Sequence, residues 1–204
     1  MTLTATDTGG GDFTPAPEGT HVARCVQLID LGTQYSDFYK KSAHKILLGW
    51  ELPNELQDDG KPFLVWRRYT LSLSDKSNLR KDLKSWRGRE FTATELEGFE
   101  LRNVVDKACM ISVTHSERDK SIYADVDAVM KLLKDMPVPD RISDLVVFDI
   151  DEFDQKVFDT FSENLQATIN KSAEVTKRNE PQEAAIDAHP ADDMAAAFDF
   201  EIPF

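Results

Sequence analysis

Apolar and polar positions alternate along three early stretches of the chain, each bounded by turn residues. THVARCVQLIDLG (20–32) is apolar-rich and ends at Gly32, and AHKILLGWEL (43–52) is closed by Pro53. FLVWRRYTLSLS (63–74) follows an acidic loop, NELQDDGKP (54–62), whose Asp59-Gly60 pair signals a turn. These predict three strands, the last two forming a hairpin with a long tip. On the third, Phe63, Val65, Tyr69, Leu71 and Leu73 share one face with Arg67 interrupting it, while Leu64, Trp66, Arg68, Thr70 and Ser72 share the other. The first face is expected in the core, the second against solvent or a ligand.

The period then changes. In SDKSNLRKDLKSWRG (74–88), Leu79, Leu83 and Trp86 fall at i, i+4 and i+7, predicting a helix capped by Ser74 or Asp75 and stopped by Gly88. An acidic, partly helical stretch (91–105) leads to KACMISVTH (107–115) and SIYADVDAVM (121–130), a closing hairpin with its turn at Glu117–Lys120; MPVP (136–139) ends the compact region. Three strands, a helix and two strands is the order of an OB-fold, a small Greek-key barrel with its helix between the third and fourth strands, although other small barrels share that count. The expected class is mainly β with added helices, a five-stranded OB-fold-like barrel. Beyond it, 148–178 carries Phe153, Val157, Phe158, Phe161, Leu165 and Ile169 at helical spacing, an amphipathic helix suited to packing on its own barrel or to pairing subunits. The domain layout expected is a flexible leader (1–18), a barrel domain (19–139), a helical extension (140–178) and an acidic disordered tail (179–204).

Charge sharpens this picture. The 204 residues carry a net charge of −13, which taken whole argues against nucleic acid. The distribution argues otherwise: residues 61–89 hold nine Lys/Arg against Asp75 and Asp82, and residues 140–204 hold sixteen Asp/Glu against five Lys/Arg. A basic middle suits an anionic ligand, and an acidic end suits a regulatory tail.

Enzymatic chemistry finds no support in the motifs. There is no P-loop, no GxGxxG after a strand and no GxSxG, so no catalytic residue and no cofactor are expected. Asp149, Asp151, Glu152 and Asp154 cluster, but they open a predicted helix, where carboxylates complement exposed amides. The four histidines lack ligand spacing, so no metal is expected. Cys25 and Cys109 read as buried free thiols of a reducing cytoplasm, with no secretory signal and no apolar run of bilayer-spanning length.

What remains is a basic surface interleaved with aromatics. A single nucleic-acid strand exposes base faces, on which rings stack, and unpaired phosphates, which Lys and Arg neutralise; neither contact reads sequence. Trp66 and Arg68, with Arg67 beside them, are the best-placed contacts. Lys45 and the Tyr35–Phe38–Tyr39–Lys40–Lys41 loop extend the track, and Lys76, Arg80, Lys84, Arg87 and Arg89 offer flanking cations on and after the helix. Trp50 on the second strand is a further candidate DNA contact. Several have an ordinary structural alternative: Trp50 and Trp86 as core residues, the helix stripe as a solvated face.

AFDFEIPF, the final eight residues, resembles the acidic, Ile-Pro-Phe-ending tail of bacterial single-stranded DNA-binding proteins. VQLIDLGTQ, ILLGWELP, RYTLSLSDKSNLRKDLKSWRGR and FELRNVVDKACMISV resemble stretches of phage-encoded single-stranded DNA-binding proteins, over roughly residues 18–170. The resemblance implies an OB-fold, a barrel that holds single-stranded DNA, and a tip (Asp199, Phe200, Glu201, Ile202, Pro203 and Phe204) that recruits replication, recombination and repair proteins in the cytoplasm of an infected bacterium. An RNA-binding OB protein and an adaptor whose basic face binds an acidic partner are the other readings.

Overall fold

The computed structural model describes residues 14–118 and 121–179. Its centre is a pair of long antiparallel strands, β1 (Gly19–Ser36) and β2 (Lys41–Leu56), with β3 (Pro62–Thr70) on the far side of β2. Helix α1 (Asn78–Arg87) follows, then the short α2 (Ala93–Glu97) and a 3-10 turn at Leu101–Val104. Strands β4 (Ala108–Arg118) and β5 (Ser121–Met130) form the next hairpin, and β4 pairs with the first half of β1. A sixth strand, β6 (Val146–Phe148), lies parallel to the middle of β1. Three short helices follow: α3 (Gln155–Phe158), α4 (Glu163–Asn170) and α5 (Ala173–Asn179).

The expected barrel does not form. Closing it needs a ladder between β3 and β5, the two ends of the path β3-β2-β1-β4-β5, and the sheet stays open there. The fold is mixed α/β on a six-stranded open sheet, which overturns the OB-fold assignment and with it the identification as an OB-fold phage single-stranded DNA-binding protein. A side chain stands where closure would need backbone pairing. Arg67 Nη1 donates to the Asp127 carbonyl at 2.7 Å and lies 3.1 Å from Asp82 Oδ2, so a guanidinium bridges the two edges.

At the centre of the sheet both faces are covered, and the strand sequences show why. On β2, Ile46, Leu48, Trp50 and Leu52 enter one core with Val65 and Tyr69 of β3 and Leu79, Leu83 and Trp86 of α1. Leu47 points the other way, joining Ile29, Leu31, Phe148, Ile150, Phe158, Ile169 and Val175 in a second core. A strand buried on both faces loses its alternation, which is why β2 reads as a continuous apolar run. On β1 a register shift between Cys25 and Gln27 moves the inward parity from odd to even positions.

Gly32 does not end its strand. It sits at a second register shift with φ +67, and the strand continues to Ser36. A Cβ there would lie 2.6 Å from Ile150 Cδ1, Glu174 Oε2 and Ser172 Cβ, so the glycine admits the C-terminal segment as well as the left-handed backbone. Pro53 likewise does not close β2, and β3 stops at Thr70, leaving Leu71 exposed rather than in the core. The cap of α1 is Ser77, whose Oγ accepts from Arg80 N at 3.1 Å, in place of Ser74 or Asp75; Gly88 closes the helix in the left-handed conformation.

The single long helix expected over 148–178 is instead β6 and three short helices. Asp154 Oδ1 accepts from Lys156 N at 2.8 Å and starts α3, Ser162 starts α4, and Ser172 Oγ accepts from Val175 N at 3.3 Å at the head of α5. Each cap starts a new helix within the apolar period that suggested continuity. The segment packs on its own sheet and is tied there by polar contacts. The fully buried Glu51 carboxylate accepts from Ile142 N at 3.0 Å and Ser143 N at 2.7 Å, and Glu174 accepts from Thr33 N at 2.7 Å and Thr33 Oγ1 at 2.6 Å.

Candidate nucleic-acid interface

The outward face of β3 presents Trp66, Arg68 and Thr70, all exposed, while Phe63, Val65 and Tyr69 face the first core. Trp66 is 42% exposed yet held in place: its Nε1 donates to Gln27 Oε1 at 2.7 Å across the intervening strand. That strand offers Gly49 opposite Trp66, and a Cβ at position 49 would fall 2.8 Å from Trp66 Cδ1 and 2.9 Å from Nε1. The absent side chain therefore lets the indole lie against the sheet.

A groove of about 770 Å³ opens beside this ring. Gln27, Ile29 and Leu47 line it from β1 and β2, Trp66, Arg67 and Arg68 from β3, Arg118, Asp125 and Val126 from the β4–β5 hairpin, and Phe161, Asn164 and Leu165 from the C-terminal segment. A second groove of about 620 Å³ adjoins it through the shared Arg68 and carries Tyr35, Tyr39, Lys45 and Lys76. Together they make one track in which rings and cations alternate. At its far end Phe38 and Tyr39 are 86% and 72% exposed and pack edge to face, 4.8 Å between centroids.

The cations of the track differ in how committed they are. Arg68 and Lys76 have no acidic partner among the described residues, and Lys45 Nζ donates only to Thr70 Oγ1 at 2.6 Å. Arg118 is paired with Asp125 at 2.5 Å. Arg67 belongs to the edge-bridging pair described above. Its partner Asp82 is buried, which pushes that carboxyl up, while the bond from Tyr69 Oη at 2.8 Å and the Arg67 charge pull it back; burial, then the Asp82 charge, push the Tyr69 phenol well up.

The other sequence-derived candidates scatter. Lys40, at φ 50, sits 3.7 Å from Asp37 in the β1–β2 turn, and Lys41 opens β2 opposite Ser36; both are exposed beside Tyr39. Trp50 has no exposed surface and leans on Trp86 at 6.1 Å between centroids, so it has no face to offer a base. Apart from Lys76, the basic stripe is already paired. Arg80 binds Asp75 at 2.5 Å and the Leu73 carbonyl at 3.1 Å, Lys84 binds Glu90, Arg87 binds Glu95, and Arg89 binds Glu95 at 2.7 Å. Glu90 and Glu95, just beyond 61–89, engage three of its helix-side cations but offset only two of its net positive charges. Asp199 to Phe204 lie outside the described residues.

Sequence reasoning missed Gln27, Gly49, Arg118 and the wall made by Phe161 and Leu165. Only Gly49 carried a local signal, a glycine inside a strand pattern, which marks close approach of something to the backbone. Compared with known proteins, the chain matches no family model, and no curated protein is similar to it in sequence.

Proposed function

We propose that this protein binds single-stranded DNA without regard to sequence, along the track from Trp66 through Arg68 and Lys45 to Tyr35 and Tyr39. The observation that carries this reading is the shared groove in which a pinned indole, two exposed tyrosines and three uncommitted cations line one continuous surface. Stacking on such rings contributes about 1–3 kcal/mol per base and accepts every base, because each has a flat face. Cations without protein partners are the ones whose counterions a phosphate chain can release. A duplex hides its base faces, so a track built of ring faces favours unpaired strands.

The test is a fluorescence titration of the full chain with oligo-dT. Trp50 and Trp86 are buried, so quenching reports mainly Trp66. Strong quenching with a negative log–log salt slope is expected; Trp66→Ala should remove the quenching, and Arg68→Ala should weaken binding and make the slope shallower. A matched oligo-U arm separates DNA from RNA preference. Binding of an acidic polypeptide without any quenching by oligo-dT would replace this reading with that of a protein-interaction adaptor.

A further inference from the structure

At the other end of α1 lies a second cavity, separate from the track. The track reaches Ser77 and Asn78 at the head of α1, whereas this cavity takes in Trp86, Arg87 and Arg89 at its foot, about 15 Å away along a helix of this length. It measures about 500 Å³, and Trp86, Phe99, Val104 and Leu132 give it an apolar wall. Four cations converge on it from three elements: Arg87 and Arg89 from the end of α1, Lys107 from the approach to β4, and Lys131 from the end of β5.

Cations at a helix foot are ordinary, since they complement its carbonyl end. Two features go beyond that. Among the described residues the only carboxylate lining the cavity is Glu95, which both arginines share, so the charges there do not cancel. Arg87, packed over the rings of Phe91 and Phe99 at 4.5 and 4.8 Å, also keeps Nη1 buried with no hydrogen-bond partner. A buried guanidinium nitrogen without an acceptor is rare in a finished structure and is relieved by an incoming oxygen. Lys131 is led to the rim by Gly88: a Cβ at position 88 would lie 2.6 Å from Lys131 Cδ, so the lysine stem crosses where a side chain would stand.

We propose that this cavity binds the phosphate group of a nucleotide. A phosphate monoester carries close to two negative charges at neutral pH and several acceptor oxygens, which matches a guanidinium pair with two ammonium groups around one carboxylate better than a lone carboxylate ligand does. The volume falls in the range of small-ligand sites, and the apolar wall beside the cations suits a base or sugar attached to the phosphate. The phosphate can come from a free nucleoside 5′-phosphate or from the 5′ end of a strand, two sources with the same chemistry.

Isothermal titration of the full chain with thymidine 5′-monophosphate, with 5′-phosphorylated oligo-dT and with 5′-hydroxyl oligo-dT tests this. Saturable binding of the mononucleotide is expected, weakened at least tenfold by Arg89→Ala combined with Lys131→Ala, both at exposed positions, and unchanged by Arg68→Ala in the track. A 5′-phosphate preference in the oligonucleotide arm that disappears in the same double variant assigns the strand end as the source. No mononucleotide binding, or binding lost in Arg68→Ala and kept in the double variant, overturns the proposal. The track reading is left intact by the first of these results, because 5′-hydroxyl oligo-dT reports the track independently.

Discussion

Trp66 lies over Gly49, with its indole nitrogen held by Gln27 at 2.7 Å. Glycine in the middle of a strand costs about 0.5–1 kcal/mol relative to alanine. Here the missing side chain is what allows a large ring to rest on the sheet, partly exposed and already fixed in position. A ring fixed in advance gives up little freedom when a base stacks on it, which is how preorganisation raises affinity.

Gly49→Ala should therefore act as a binding variant at a position that a strand would not contact. The new methyl would meet Trp66 and Gln27 Cβ at 2.8–2.9 Å, so the indole must lift or turn. The expected result is a loss of oligo-dT affinity approaching that of Trp66→Ala, roughly tenfold or more if one stacked base is lost. Folding stability should fall by about 1–3 kcal/mol, the range for an overpacked contact. Unchanged quenching by oligo-dT in a folded Gly49→Ala protein would show that the Trp66 face is not the one used.

Arg67 and Arg68 are adjacent and alike, and they should behave in opposite ways. Arg67 bridges the open edges through Asp127 and Asp82, and its loss strands the buried Asp82 carboxylate. Arg67→Ala is expected to lower unfolding free energy by roughly 2–4 kcal/mol, near the cost of breaking a mostly buried pair. Arg68→Ala should leave stability within about 0.5 kcal/mol, as for a surface change, while weakening oligonucleotide binding. Denaturant unfolding beside the binding titration checks both, and equal stability losses would remove the distinction drawn between them.

This pair also shows what the amino-acid order could and could not disclose. Alternation along 63–74 placed Trp66 and Arg68 outward because strand parity is local. The fate of Arg67 depended on Asp127, sixty positions away, and so did barrel closure, since an open or closed sheet is decided by whether two distant edges meet in register. The apolar period across 148–178 suggested one helix because periodicity counts hydrophobic positions and ignores Asp154, Ser162 and Ser172, the caps that divide it. Counting charge over 61–89 could not tell the free cations from the engaged ones for a similar reason: Glu90 and Glu95 fold back onto Lys84, Arg87 and Arg89.

The salt dependence of binding should follow that pairing. Lys45, Arg68 and Lys76 lie in the track without acidic partners among the described residues, and together they should supply about −2 of the log–log slope, taking roughly 0.7 per phosphate for a single strand. Replacing all three with alanine should remove that share. Replacing Arg80 and Lys84, which already hold Asp75 and Glu90, should leave the slope within error. A larger change from the second set would mean that the strand runs along α1.

Glu95 gives a prediction in pH. Arg89 first, then the Thr92 amide and Arg87, hold its carboxyl down to about 2, well below the ordinary glutamate range. The folded protein thus keeps the charge at acidities where the unfolded chain has taken up a proton. The stabilisation is complete above the ordinary glutamate range, declines as the pH falls through it, and is gone below about 2. Glu95→Gln retains a side-chain acceptor at the third position of α2, where glutamine also completes the capping box with Thr92, but it lacks the charge. Thermal unfolding at stepped pH should then show the variant less stable than the parent near neutrality, with the two melting temperatures converging as the pH falls towards 2. A gap that stays constant across that interval would mean that hydrogen bonding at the helix start, and not the arginine pair, is what Glu95 contributes.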